Sequence, residues 1–130
     1  MNIFEKFSKI QKIAAFNFQE FKFYDYKLSN DLLVNLTYGD TLGHHYTNID
    51  MSGKVEINFE SHFKTHSVGE KKFYDINMIE MEVYSNPAEI GDSQFFVIRN
   101  NREFEESLRK SQISVEYFHE ILDELLIMLI

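Results

Sequence analysis

Two glutamates lie on one face of the segment DINMIEMEVYS, residues 75–85. The segment alternates as a half-buried β-strand does, with Ile79, Met81 and Val83 predicted to face a core. The opposite face carries Met78, Glu80, Glu82 and Tyr84. Neighbouring carboxylates can act as a general acid and base, or they can attract a basic protein. The flanking methionine and tyrosine favour protein binding, because interface cores are enriched in Met and aromatic residues.

A second alternating segment, residues 54–63, extends this face. It turns Val55, Ile57, Phe59 and Phe63 inward and its polar residues outward. The link to residues 73–84 is short, so we predict an antiparallel hairpin. Directly opposed residues share a face, and the inward residues of both segments are mainly odd-numbered, so the residue numbers of each opposed pair must add up to an even value. We consider two registers, in which these numbers add up to 138 or to 136. The first places Glu56 opposite Glu82 and Glu60 opposite Met78, and the second places Glu56 opposite Glu80. Both gather four glutamates on one exposed face with at least one like-charged pair, which is destabilising.

These residues form the predicted partner-binding site. A destabilising charge pair without structural benefit is expected where a surface serves a partner. The alternative is an ordinary solvated sheet face, in which glutamate discourages edge-to-edge aggregation. The predicted site consists of Glu56, Glu60, Met78, Glu80, Glu82 and Tyr84.

The five histidines raise the possibility of a metal site. His44 and His45 are adjacent, and His62 and His66 are four residues apart. That spacing brings two ligands together on a helix but not on a strand followed by a loop. We therefore predict loop or surface histidines and no metal site, and we place His119 on the surface of a helix.

The sequence contains no catalytic signature. It lacks GxSxG, HExxH and a glycine-rich phosphate loop, and it has no cysteine for a thiol nucleophile or a thiolate metal site. We expect no catalytic residues and no cofactor. For a hydrolase or nuclease, the best candidates would be His44, His45 and Asp50.

The balance of charge restricts the partners. Thirteen Lys and Arg against 21 Asp and Glu give a net charge of −8. This charge opposes binding to nucleic acid or to an anionic membrane, and it suits a basic protein, although solubility alone could explain it. The N-terminal segment is interrupted by charges and does not resemble a signal peptide, and no apolar run is long enough to span a bilayer. We expect a cytoplasmic protein.

The remaining patterns predict a single α+β domain over residues 1–130. Helical spacing covers residues 3–14, with a capping box at Asn2 and Glu5. Strands are predicted at residues 22–28 and 32–38, in a register that pairs Tyr26 with Val34, and a further short strand near residues 46–51. Residues 94–98 are apolar on both faces, so we place that strand centrally. Helices follow from Asn100 or Asn101 and from Ser114. The expected fold is an antiparallel sheet of five or six strands, with the N-terminal helix and the two C-terminal helices on one face.

A small, acidic, cysteine-free α+β chain without a catalytic signature resembles the immunity proteins of bacterial contact-dependent growth inhibition and related polymorphic toxin systems. The resemblance is one of architecture and composition over the whole chain. It implies a cytosolic protein that binds a cognate toxin domain, often a basic nuclease, and blocks its active site. Acidic secretion chaperones are less similar, because residues 64–72 leave no room for their helix between the halves of the sheet. The alternative function is a small-ligand-binding or enzymatic α+β domain that uses the loop at residues 41–50.

Overall fold

The computed structural model describes residues 1–17, 23–29, 31–37, 44–51, 55–85 and 93–129. Its architecture is α+β, with one antiparallel sheet of six strands, an N-terminal helix and two C-terminal helices, as the sequence predicts. The elements are α1 (Ile3–Asn17), β1 (Phe23–Lys27), β2 (Leu33–Thr37), β3 (His44–Met51), β4 (Val55–Val68), β5 (Lys71–Ser85), β6 (Ser93–Ile98), α2 (Asn101–Lys110) and α3 (Val115–Leu129).

Each helix begins at a predicted cap. Asn2 Oδ1 accepts a hydrogen bond from the backbone N–H of Glu5 at 2.8 Å. Asn100 caps α2 by accepting from Glu103 N–H at 2.9 Å, and Ser114 Oγ caps α3 at 3.2 Å from Tyr117 N. These bonds satisfy N–H groups that have no partner within the helix. Asn101, the other candidate cap, instead accepts from Phe4 N–H at 3.1 Å and so joins α2 to α1.

The strands follow one another in a meander, in the order β1-β2-β3-β4-β5-β6. The predicted register of the first hairpin is confirmed, with Tyr26 opposite Val34. A hydrogen bond of 2.9 Å from Leu28 N–H to Leu32 O closes it, and Asp31 adopts a positive φ of 64°. Aspartate tolerates that conformation better than most residues, because its short side chain can bond locally.

The second hairpin is longer than predicted. β4 and β5 are joined directly at Gly69 and Glu70, where Gly69 has a φ of +65°. Glycine at the first central position suits a type II′ turn. This turn places Val68 opposite Lys71, and the numbers of opposed residues near the turn add up to 139. A bulge between His62 and Phe63 changes the register, and beyond it the numbers of opposed residues add up to 140. Both predicted registers were therefore wrong, because the turn and the bulge together set the pairing.

Strand β6 lies at an edge of the sheet, so its predicted central position was wrong. It is the last strand of the meander and pairs only with β5 in the described sheet. Its inner side is covered, since Ile98 is fully buried and Phe96 packs against the core. Its outer side is not, and Phe95 is 56% exposed. Both sides of β6 are therefore apolar, but only the side that carries Phe96 and Ile98 is covered by the core.

The core lies between the sheet and the three helices. It includes the predicted stripe of α3, of which Phe118, Ile121, Leu122, Leu125 and Leu129 are buried. A buried hydrogen bond of 2.8 Å joins Gln11 Nε2 on α1 to Thr47 Oγ1 on β3. None of the helices in the described part of the chain combines the length and apolar character needed to cross a bilayer.

His45 lies in this core and not on the surface, contrary to the prediction. Its side chain is 1% exposed, and its ring meets Phe63 edge-on with the centroids 6.5 Å apart. Burial disfavours the imidazolium ion and lowers the pKa of His45 from 6.5 to about 4.

This burial predicts a loss of stability in mild acid. The unfolded chain binds a proton at His45 near pH 6.5 while the folded chain resists it down to about pH 4, so stability falls as the pH drops through that window. Between pH 7.5 and 5 we expect this residue to reduce the free energy of unfolding by about 2 kcal/mol. Urea unfolding at the two pH values measures it.

The variant His45→Gln should lack this part of the pH dependence. His119→Gln, on α3, should retain it because His45 is still present. An equal response to pH in the wild type and His45→Gln would contradict the prediction.

Candidate binding surface on the open face of the sheet

The side of β3–β6 that faces away from the helices is here called the open face. On β4, Ile57 and Phe59 are buried, whereas Glu56, Asn58 and Glu60 between them are only half-buried. Cross-strand pairing aligns the open-face residues in rows. One row is Asp50, Glu56, Tyr84 and Ser93; the next is Asn48, Asn58, Glu82 and Phe95; the third is Tyr46, Glu60, Glu80 and Val97.

All six residues of the predicted site lie on this face. Glu60 is directly opposite Glu80, so a like-charged pair is present, but it is neither of the predicted pairs of Glu56 with Glu82 or Glu80. Glu56 is opposite Tyr84, Glu82 is opposite Asn58, and Met78 is opposite His62. The predicted common face is confirmed, and its use by a partner remains a prediction.

The carboxylates on this face accept hydrogen bonds from neutral groups. Asn48 Nδ2 donates to Glu56 Oε1 at 2.6 Å, and Tyr46 Oη donates to Glu60 Oε1 at 3.2 Å. Amide and phenol donors fix the orientation of a carboxylate without cancelling its charge. Within the described rows of β3–β6 there are five acidic residues and no lysine or arginine. The open face is therefore strongly negative.

A line of asparagines crosses the middle of the sheet, a feature that the sequence analysis missed. Asn35 is opposite Asn48, which is opposite Asn58. Asn48 Nδ2 donates to Asn58 Oδ1, and Asn35 Nδ2 donates to Asp25 Oδ1 at 2.7 Å. One asparagine at an outward-facing position of each of three strands is the signal that could have revealed this row.

The centre of the open face is a depression of about 340 Å³. Aromatic side chains flank it, with Tyr46 41% exposed on β3 and Phe95 56% exposed on β6. The other lining residues are Asn35, Thr47, Asn48, Asn58, Phe59, Glu60, Glu80 and Glu82. Phe95 was missed because apolar residues on both sides of its strand indicated a strand that is buried on both faces.

The candidate catalytic residues do not all lie on one side of the sheet. His45 is buried on the core side of β3, whereas Asp50 lies on the open side, so the sheet separates them. Residues 44–51 form a strand, so the proposed ligand loop at residues 41–50 is not a loop over its larger part. Residues 41–43 lie outside the described residues.

Comparison with protein-family models, with curated proteins and with solved structures found no match to this chain.

The like-charged pair predicts that removing one charge stabilises the protein. We expect Glu60→Gln to raise the free energy of unfolding by roughly 0.2–1 kcal/mol in buffer with EDTA. Glutamine can still accept the hydrogen bond of Tyr46. Glu82→Gln is the matched control, because its opposed residue, Asn58, is neutral. Urea unfolding at low salt measures both, and a less stable Glu60→Gln protein would contradict the prediction.

Proposed function

We propose that this protein is an immunity protein that binds a basic toxin domain through its open face and blocks the active site of that toxin. The observation that carries the proposal is a set of half-buried carboxylates held by neutral donors and flanked by Tyr46, Tyr84 and Phe95. The resemblance of the whole chain to immunity proteins supports the same function. The protein acts in the cytoplasm as a stoichiometric inhibitor, without catalysis.

The charge of the open face selects the partner. Five acids in the described rows repel nucleic acid and acidic proteins and attract Lys and Arg side chains. Asn48 and Tyr46 already hold two of the carboxylates, so less conformational entropy is lost when a cation binds. The depression beside them has room for a long basic side chain of the partner.

The aromatic side chains supply the affinity that exposed charges do not. Exposed ion pairs contribute at most about 1 kcal/mol each. Aromatic residues at the centre of an interface contribute much more, because they bury large areas while losing little side-chain freedom. Tyr84 and Phe95 lie in neighbouring rows beside the acids. The carboxylates therefore guide the partner, and the aromatic residues retain it.

The open face is too small to be a whole interface. From Glu56 to His62 across β3–β6 it measures roughly 15 Å by 20 Å. A standard interface buries about 800 Å² per partner. The partner must therefore also contact residues beside this patch.

A small cationic ligand is the second candidate occupant. The depression of about 340 Å³ falls at the lower end of the range for small-molecule sites. This candidate replaces the loop at residues 41–50 as the ligand site. It predicts that a small amine, and no protein, protects the open-face residues from chemical modification.

The inhibitor proposal predicts a toxin gene beside the gene for this chain, and the toxin domain that it encodes is the partner for the binding test. We expect the double variant Glu80→Lys/Glu82→Lys to associate at least about tenfold more slowly at low salt, with a flatter salt dependence, because electrostatic attraction sets the encounter rate. Stopped-flow or surface-plasmon kinetics measure this.

The control Glu70→Lys/Glu120→Lys makes the same change in net charge away from the open face. Glu70 lies at the tip of the β4–β5 hairpin and Glu120 on α3, and both are exposed. This control should keep most of the wild-type association rate. Equal slowing in both double variants would show that net charge alone acts, and unchanged rates in both would contradict electrostatic recognition.

Tyr84→Ala should change the dissociation rate and not the association rate. We expect faster dissociation, equivalent to about 2 kcal/mol of affinity, with little change in the association rate. Ile127→Ala is a comparison at an exposed apolar residue on α3, on the other side of the sheet, and should dissociate at the wild-type rate. If Tyr84→Ala dissociated at the wild-type rate, the interface would lie elsewhere.

A further inference from the structure

His62 lies between two carboxylates on the open face. Its Nε2 is 3.3 Å from Glu80 Oε2 and 3.9 Å from Glu60 Oε1. One ligand atom from each of the three residues lies within 4.8 Å of the others. This group is here called the EHE cluster.

The backbone fixes the EHE cluster. Glu60 and His62 are two residues apart on β4, so their side chains leave the same face of the sheet. Glu80 is directly opposite Glu60 on β5. Three donors on two paired strands are positioned more firmly than donors on a loop.

These distances suit a tetrahedral metal ion. Zinc binds histidine nitrogen and carboxylate oxygen at roughly 2.0–2.2 Å, which separates neighbouring ligand atoms by about 3.3–3.6 Å. The distance from His62 to Glu80 already falls in this range, and the distance from His62 to Glu60 requires only a small movement. Three protein ligands leave the fourth position for water.

The electrostatics also favour a cation. The side chains of Glu60 and Glu80 are only 28% and 30% exposed, so solvent screens their repulsion incompletely. A divalent ion would remove that repulsion. Tyr46 Oη donates to Glu60 Oε1 at 3.2 Å, and such outer partners orient metal ligands.

We propose that Glu60, His62 and Glu80 bind one Zn²⁺ ion. The set of one imidazole and two carboxylates suits zinc better than calcium or magnesium, which take oxygen ligands in larger number. The site does not depend on a toxin partner, because all three ligands come from this chain.

The test uses protein stripped of metal with a chelator and then titrated with Zn²⁺ alone. We expect one ion per chain by calorimetry. Adding Co²⁺ should produce the strong visible absorption of a low-coordinate site. Each of Glu60→Gln, His62→Gln and Glu80→Gln should weaken binding more than about tenfold, since even the loss of an outer partner costs 10–100-fold.

Two controls separate a built site from attraction to a negative surface. Glu56→Gln/Glu82→Gln removes two charges from the same face without touching the EHE cluster, and His119→Gln removes a histidine elsewhere. Both should bind zinc within a few-fold of the wild type. Absence of stoichiometric binding, or equal weakening in the cluster variants and the controls, would overturn the proposal. Failure to bind a toxin would leave these measurements unchanged.

Discussion

The structure depends on a contact among four phenylalanines that joins the sheet to all three helices. Phe59 of β4 meets Phe7 of α1 at a ring-centroid distance of 4.8 Å, Phe104 of α2 at 5.9 Å and Phe118 of α3 at 6.0 Å. All four rings are at most 1% exposed. Tilted and edge-on aromatic pairs add about 0.5–1.5 kcal/mol each to the gain from burial. Since side chains alternate along a strand, fixing Phe59 inward fixes Asn58 and Glu60 outward.

The composition of the open face depends equally on the bulge in the β4–β5 hairpin. The turn at Gly69 sets a register in which opposed residues have numbers adding up to 139. Continued along the strands, that odd value would place Phe59 opposite Glu80 and turn one strand's core residues toward solvent. The bulge leaves Asn77 without an opposed residue and restores an even register. One inserted residue thereby keeps the acids together and the core continuous.

These two constraints explain how far the sequence could predict the molecule. Helical and strand periodicities, the caps at Asn2, Asn100 and Ser114, and the first hairpin all follow from local patterns, and the structure confirms them. The second register did not follow, because a bulge carries no clear pattern in a single sequence. The position of β6 could not be predicted either. Its residues are apolar on both sides, and this pattern does not show which side the helices cover.

The error in register had a direct consequence for the candidate site. When the opposed numbers add up to 138, Glu60 faces Met78, so His62 and Glu80 show no relation to each other. In the observed register Glu60 faces Glu80, and the EHE cluster appears. The prediction that all six site residues share one face stayed correct despite the wrong register, because a shift of two positions keeps every side chain on its own face. Membership of a face is thus a more robust prediction than contact between residues.

The proposed zinc ion and the proposed basic partner use the same carboxylates. An ion held by Glu60 and Glu80 would contribute two positive charges to a face with five acids in its described rows. The affinity for a basic partner would then fall. By thermodynamic linkage, a bound basic partner would lower the affinity for zinc by the same factor as zinc lowers the affinity for the partner. The sign of this coupling reverses if a side chain of the partner fills the fourth coordination position of the metal. Zinc affinity measured with and without the toxin domain therefore distinguishes a partner that binds the acids from one that binds the metal.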